Sequence, residues 1–232
     1  MIQVFPADSR YKVEQGWLKS RLSFSFGSYY DANNTSFGVM RVCNDDEVGP
    51  GKGFGAHPHS DMEVVTVVLE GAIRHEDNIG NSEVAKVGEI QRMSAGSGTV
   101  HAEYNASDTE PMQILQLWFM PNERGITPSY ETSRYDQDKL INAFLPIVDP
   151  HGSLETAKIH QDLTIYLSKL EAGKKLEFEQ AEGRRIFLFA IEGSILVNEI
   201  PLGKRDTARI ESLSRLTIAA TQHSFFMLID LP

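Results

Sequence analysis

The chain has 232 residues, 41% of them hydrophobic, and a formal net charge of −10. That length fills one large β domain or two ordinary ones, and that apolar content excludes a disordered chain. The acidic balance argues against nucleic acid or an anionic membrane surface as a partner. No apolar run reaches the length of a membrane span, and the start, MIQVFPADSRYKVEQ, lacks the apolar core of a signal peptide. A single cysteine, Cys43, forms no internal disulfide; it reads as a small buried residue in a protein of the reducing cytoplasm.

In chain order, the aromatic group Phe24, Phe26, Tyr29 and Tyr30 comes first and reads as core or pocket wall. The stretch GKGFGAHPHSDMEVV then sets His57 and His59 one spacer apart. On an extended strand this spacing sends both side chains to one face. Glu63 shares that face if the strand continues. Residues 64–69 are β-branched and apolar, predict a strand, and stop at Glu70-Gly71. His75 follows the turn, either as a partner at a pocket mouth or as a solvated loop residue. Gly96 and Gly98 predict a turn; no Lys-Ser/Thr follows, as a phosphate loop would need. Beyond them MSAGSGTVHAEYN repeats the spacing with His101 and Glu103. Residues 112–119, 164–167, 186–191 and 225–229 predict further strands, separated by glycine and Asn/Asp punctuation. His151, His160 and His223 read as surface or packed histidines, and the basic pairs at 184–185 and 204–205 as solvated turns.

The pattern predicts an all-β protein, barrel or sandwich. It also contains a repeat. VTVVLEGAIRHED resembles FLFAIEGSILVNE, each an apolar strand, a Glu-Gly turn and a second strand. Val87-Gly88-Glu89-Ile90 has its counterpart in Leu202-Gly203-Lys204-Arg205. The expected organisation is an N-terminal domain over 1–125, a linker over 126–149 and a C-terminal domain over 150–232. The second copy lacks ligands: the positions matching His57 and His59 are Glu179 and Ala181.

If the two pairs lie on facing strands, His57, His59, His101 and Glu103 present three imidazoles and a carboxylate to one point. That donor set suits a borderline divalent metal such as iron, nickel, copper or zinc. The absence of thiolates favours an open, reactive site over a closed structural one.

These motifs resemble the cupin signatures. Gly51 stands five residues before His57, and Glu63 follows His59 after three; Gly88, Gly96, Gly98, His101 and Asn105 fall in the second signature, with Ser94 at its usual proline. The stretches GWLKSRLSFSFGSYYD, FGVMRVCNDD, GFGAHPHSDMEVV and QRMSAGSGTVHAEYN, with GITPSYE beyond, resemble more closely the pirin family, notably its short bacterial members associated with quercetin 2,3-dioxygenase activity. Gln15 departs from the histidine of many relatives and bears only on pocket-edge contacts. The resemblance implies a bicupin of two consecutive β-barrel, jelly-roll-like domains, with one metal held by His57, His59, His101 and Glu103. It implies iron, as Fe(II); zinc, nickel, copper or manganese suit the same donors. Glu63, the ligand in many other cupins, falls to a supporting place. The implied activity is a dioxygenase that opens the heterocycle of a flavonol with O2 and releases carbon monoxide. The partners are then a small aromatic substrate and O2, and the catalytic base is Glu103, with Glu63 as its rival. The alternative is a metal-binding regulator that acts on a protein partner.

Overall fold

The computed structural model describes residues 1–232. Strands make up the architecture; the helical pieces are two 3-10 turns, Ala7–Ser9 and Gln137–Leu140. The all-β expectation therefore holds. No helix is long and apolar enough to cross a membrane.

The chain divides into two compact units, one of residues 11–135 and 150–161, the other of 1–10, 136–149 and 162–232. These are not the consecutive stretches 1–125 and 150–232 that composition suggests. Segment 126–149, expected as a linker, carries two strands. Ser129–Arg134 pairs with Glu89–Ser94 in the first unit, and Leu145–Asp149 pairs with Thr164–Leu170 in the second. At the other end, Ile2–Phe5 pairs with Thr207–Glu211. Pairing with strands far along the chain sets these allegiances, and local composition carries no record of it.

Both units use one plan. In the first, the larger sheet runs Ser129–Arg134, Glu89–Ser94, Glu63–Glu70, Met112–Phe119, Met40–Val48, Leu18–Leu22 and Tyr11–Glu14. Its smaller sheet runs Gly53–His59, Thr99–Asn105, Ala72–Asp77 and Ser82–Lys86. In the second unit the larger sheet follows the same order with Ile2–Phe5, Thr207–Glu211, Arg185–Glu192, Ser224–Leu231, Thr164–Leu170 and Leu145–Asp149. Its smaller sheet matches with Lys175–Glu179, Arg215–Ala220, Ile195–Val197 and Ile200–Leu202. The repeat seen in the sequence is a repeat of topology. Its Glu-Gly turns match as well: Gly71 and Gly193 have φ of +73° and +78°. A side chain at Gly193 would also meet the backbone of His223 and Ser224. Glycine is the residue that takes this conformation without strain.

The two interiors differ. In the second unit, the strands matching the histidine-bearing pair contribute Phe178, Leu216 and Ile218 to an apolar core with Leu188, Phe226 and Leu228. Each such side chain contributes roughly 1.5–3 kcal/mol on burial. In the first unit, apolar packing closes one end, through Leu18, Val48, Val68, Ile73, Met112 and Ile114. Elsewhere in that interior buried polar groups, among them His75, His101, Glu103 and Gln91, lie among further buried apolar ones such as Phe24, Leu117 and Phe119. Of the early aromatic group, Phe24 is core, whereas Tyr29 stacks on Tyr11 at 4.3 Å and Tyr30 is 76% exposed. Cys43 is buried, as expected.

Candidate metal centre

The two ligand-spaced pairs lie on neighbouring antiparallel strands, with His101 directly opposite His57 and Thr99 opposite His59. Between His101 and Glu103 the register shifts, so that Glu103 stands opposite Phe54 and Tyr104 opposite Gly53. The extra residue on the Gly53–His59 strand is a bulge, which re-aims the side chains beside it. A Cβ at Gly53 would strike the Glu103 carbonyl oxygen and the Tyr104 Cα. We expect Gly53→Ala to lose about 2 kcal/mol or more and to loosen the Glu103 backbone. A melting curve unchanged from wild type would contradict this.

The structure brings His57, His59 and His101 together. Their donor nitrogens lie within 4.8 Å of one another, and their ring centroids are 4.4–4.9 Å apart. Glu103 groups with His101 and His75 within the same limit, and does not share the triad of His57, His59 and His101. Both its oxygens are engaged: Gln91 Nε2 donates to Oε1 and Gln116 Nε2 to Oε2, each at 2.6 Å. A carboxylate has about four acceptor positions, so capacity remains. Burial raises the Glu103 pKa above the usual carboxylate range, against the opposing pull of His75, Gln116 and Gln91.

Neighbours fix which nitrogen each imidazole offers. His57 Nδ1 lies 2.7 Å from the Gly55 carbonyl, which only accepts, so Nδ1–H donates and Nε2 is the nitrogen left to face a metal. For His101 the argument runs through two residues. Asp77 accepts from the backbone N–H of Ile79 and Asn81, from Asn81 Nδ2 and from His75 Nε2 at 3.0 Å. Burial pushes its carboxyl up, yet these hydrogen bonds outweigh that and hold it below its ordinary pKa. Asp77 is therefore an acceptor and His75 Nε2 carries the hydrogen; in that tautomer His75 offers its Nδ1 to His101 Nδ1, 3.4 Å away. His101 Nδ1 then donates, leaving Nε2 bare. His75 is wholly buried and stacked on Tyr130 at 4.0 Å, which answers its open placement in favour of a partner within the site.

A divalent metal fits this arrangement. His59 Nε2 and His101 Nε2 are buried and have no hydrogen-bond partner. Leaving such an atom unpartnered costs about 1–3 kcal/mol, and ligation removes that cost. Burial and then the neighbouring His57 hold the His59 pKa down to about 4, and the same causes hold His101 down to about 3. Both rings are therefore neutral, as ligands must be. The residues that hold Asp77 and His75 in line correspond to the outer partners that orient metal-bound histidines. Asp77→Asn is accordingly expected to weaken metal affinity about 10–100-fold, read by titration against a competing chelator; unchanged affinity would refute the relay.

Glu63 stands apart. Residues 60–62 break the strand after His59, with Asp61 at φ 48°, so Glu63 begins a strand of the other sheet rather than sharing a face with His57 and His59. Its Oε2 accepts from Ser94 Oγ at 2.8 Å and from the His160 backbone N–H at 3.1 Å. His160 is thus a packed residue beside Glu63, while His151 and His223 are exposed. Gln91, Gln116, Asp77, Tyr130 and Trp118 were not singled out from sequence. The one readable signal is glutamine inside the otherwise apolar strand MQILQLWF, which holds Gln116.

A cavity of about 320 Å³ adjoins the cluster, reaching His57 and Glu103, and is walled mainly by apolar groups such as Trp17, Leu22, Phe26, Phe54 and Trp118. That volume falls within the range of small-molecule sites. Trp118 packs edge-on against His59 at 4.7 Å and against Phe26 at 5.2 Å. Gln15, exposed, lies at the cavity edge.

Comparison with known proteins agrees with this architecture. Residues 5–119 match the family model described as Pirin, and residues 147–231 match the Quercetinase C-terminal cupin domain. A quercetin 2,3-dioxygenase of Escherichia coli strain K12 is 39% identical, over 100% of this chain and 99% of its own length. A pirin-like protein of Caulobacter vibrioides is 37% identical over 99% of both chains. The crystal structure of the bacterial pirin YhhW from Escherichia coli in complex with nickel(II) superposes with a TM-score of 0.95 at 38% identity, covering 100% of this chain and 99% of that one. With sequence and fold alike matched from end to end, the chain belongs to the pirin family of bicupins.

Proposed function

We propose that the protein is a metal-dependent dioxygenase that opens the heterocycle of a flavonol such as quercetin with O2, releasing carbon monoxide. The observation that carries this is the set of three clustered imidazoles, two with an unpartnered buried Nε2, beside a mainly apolar cavity and a buried carboxylate. His57, His59 and His101 would hold the metal, with Glu103 beside them. When bound, the metal acts as a Lewis acid toward the adjacent hydroxyl and carbonyl oxygens of the flavonol and lowers the hydroxyl pKa. Iron as Fe(II) is the metal we favour. The donors suit nickel equally, and nickel is what the related pirin binds.

The chain's own residues supply the rest. Glu103, its pKa raised by burial, is the base that takes the flavonol hydroxyl proton. Gln91 and Gln116 hold its two oxygens in place, and Tyr130 fixes the Gln91 amide by donating to its Oε1 at 3.4 Å. Trp17, Phe26, Phe54 and Trp118 pack against flat rings and keep water from the reacting carbons. Both oxygen atoms of O2 enter the opened ester, one as the carbonyl formed at the carbon beside the ring oxygen and one in the carboxyl formed from the ketone carbon. The hydroxyl-bearing carbon between them leaves as carbon monoxide with its own oxygen, so no outside reductant is required.

The test is quercetin loss under air by the metal-loaded protein, with matched oxygen uptake and carbon monoxide release. Anaerobic samples should be inert. Failure of iron-, nickel-, copper- and manganese-loaded protein to outpace the free metals would sink the proposal.

A further inference from the structure

One part of the cavity is unexplained by the metal centre. Ser20, Asn44 and Asp46 line it from the larger sheet, while His57 and Glu103 line it from the smaller one. Asp46 stands opposite Ser20 on the neighbouring strand, and Asn44 lies two residues away on the same face. All three are buried, at 5%, 3% and 3% exposure for Ser20, Asn44 and Asp46. Asn44 Oδ1 and Asp46 Oδ1 have no hydrogen-bond partner in the protein, and Ser20 Oγ has none beyond the Asp46 carboxyl it faces. Polar atoms left short of partners on one wall of an apolar cavity are not explained by folding, since each costs stability where it stands. Leucine at these positions would continue the pattern of Leu18 and Leu22 beside them. Polar groups held short of protein partners inside a ligand-sized cavity are fitted to a ligand's polar groups.

We propose that Ser20, Asn44 and Asp46 form a specificity subsite that receives a phenolic hydroxyl of the substrate, borne on a ring distinct from the oxygens that face the imidazoles. The proposal rests on the flavonol reading and adds to it the wall that would recognise a ring hydroxyl remote from the metal-facing oxygens. Asp46 can both accept and donate here, because burial, reinforced by Asp45 and Glu103, raises its carboxyl to about 7 despite the opposing Ser20 contact. Ser20 can likewise do either, and Asn44 Oδ1 accepts.

The experiment compares quercetin with 3-hydroxyflavone, which keeps the adjacent hydroxyl and carbonyl but lacks the other ring hydroxyls. Dissociation constants are measured by tryptophan fluorescence on the nickel-loaded protein under nitrogen, where nothing turns over. Wild type should prefer quercetin by on the order of tenfold or more. Asp46→Leu should lose most of that preference with 3-hydroxyflavone affinity nearly unchanged. Asp46→Asn, which keeps a hydrogen-bonding group, should retain most of it. Ser20→Ala should lose about threefold, and decides the matter should Asp46→Leu fail to fold. Equal affinities in wild type, a preference intact in both Asp46→Leu and Ser20→Ala, or failure to bind either compound would each overturn the subsite. The two proposals fail separately. Selective binding of quercetin without turnover in air removes the dioxygenase and leaves the subsite; turnover without selectivity does the reverse.

Discussion

His101→Ala is expected to lose its bound metal and all activity above that of free metal while keeping the wild-type fold. His101 sits between both ligand-forming groups: its Nε2 is bare and buried, and its Nδ1 is held through His75 and Asp77. Removing it takes away one of three imidazoles and disconnects the relay. The loss of affinity should therefore exceed the roughly 10–100-fold that removal of an outer partner costs. The fold should survive because the apolar cluster around Val68, Ile73 and Met112, and the whole core of the second unit, lie elsewhere. Elemental analysis, circular dichroism and the quercetin assay on one preparation check all three statements. Retained metal, or a second metal assigned to the unit that holds Phe178 and Leu216, would reject the single-site assignment.

Glu103→Gln should lower kcat by about 10²–10⁴-fold, the usual worth of a positioned base, and weaken metal binding as well. An amide at this position also places its NH2 against a glutamine NH2, since Gln91 and Gln116 both present Nε2 to residue 103 and Tyr130 holds the Gln91 oxygen. That buried mismatch costs about 1–3 kcal/mol. Glu63→Gln is the control. Glu63 accepts from Ser94 and the His160 backbone, away from the three imidazoles. Its loss should loosen the segment around His160 and leave metal content near wild type. Metal content and kcat measured side by side give the order. Equal loss in the two variants, or greater loss with Glu63→Gln, would return the carboxylate role to Glu63.

The sequence by itself determined the fold class, the internal repeat and the candidate donors. These depend on short-range regularities. Strands announce themselves by β-branched runs such as residues 64–69; the repeat shows in two Glu-Gly turns whose glycines need positive φ; and His-x-His and His-x-Glu spacing puts each pair on one face of a strand. The tertiary structure alone decided the rest. It separated Glu63 from the histidines by a turn and a change of sheet, and it buried His75, which the sequence left open between pocket and solvent. Asp77, Gln91, Gln116 and the polar wall of Ser20, Asn44 and Asp46 joined the site through strand pairing, from the 12 residues between Gln91 and Glu103 to the longer separations of the wall. It also tied residues 1–10 to the unit that follows residue 162, by pairing Ile2–Phe5 with Thr207–Glu211. The physical reason is common to all of these. A side chain's direction follows from its own strand's two-residue period, but its neighbours follow from which strands pair and where a bulge shifts them, and that is fixed by the hydrogen-bond ladder of the whole sheet.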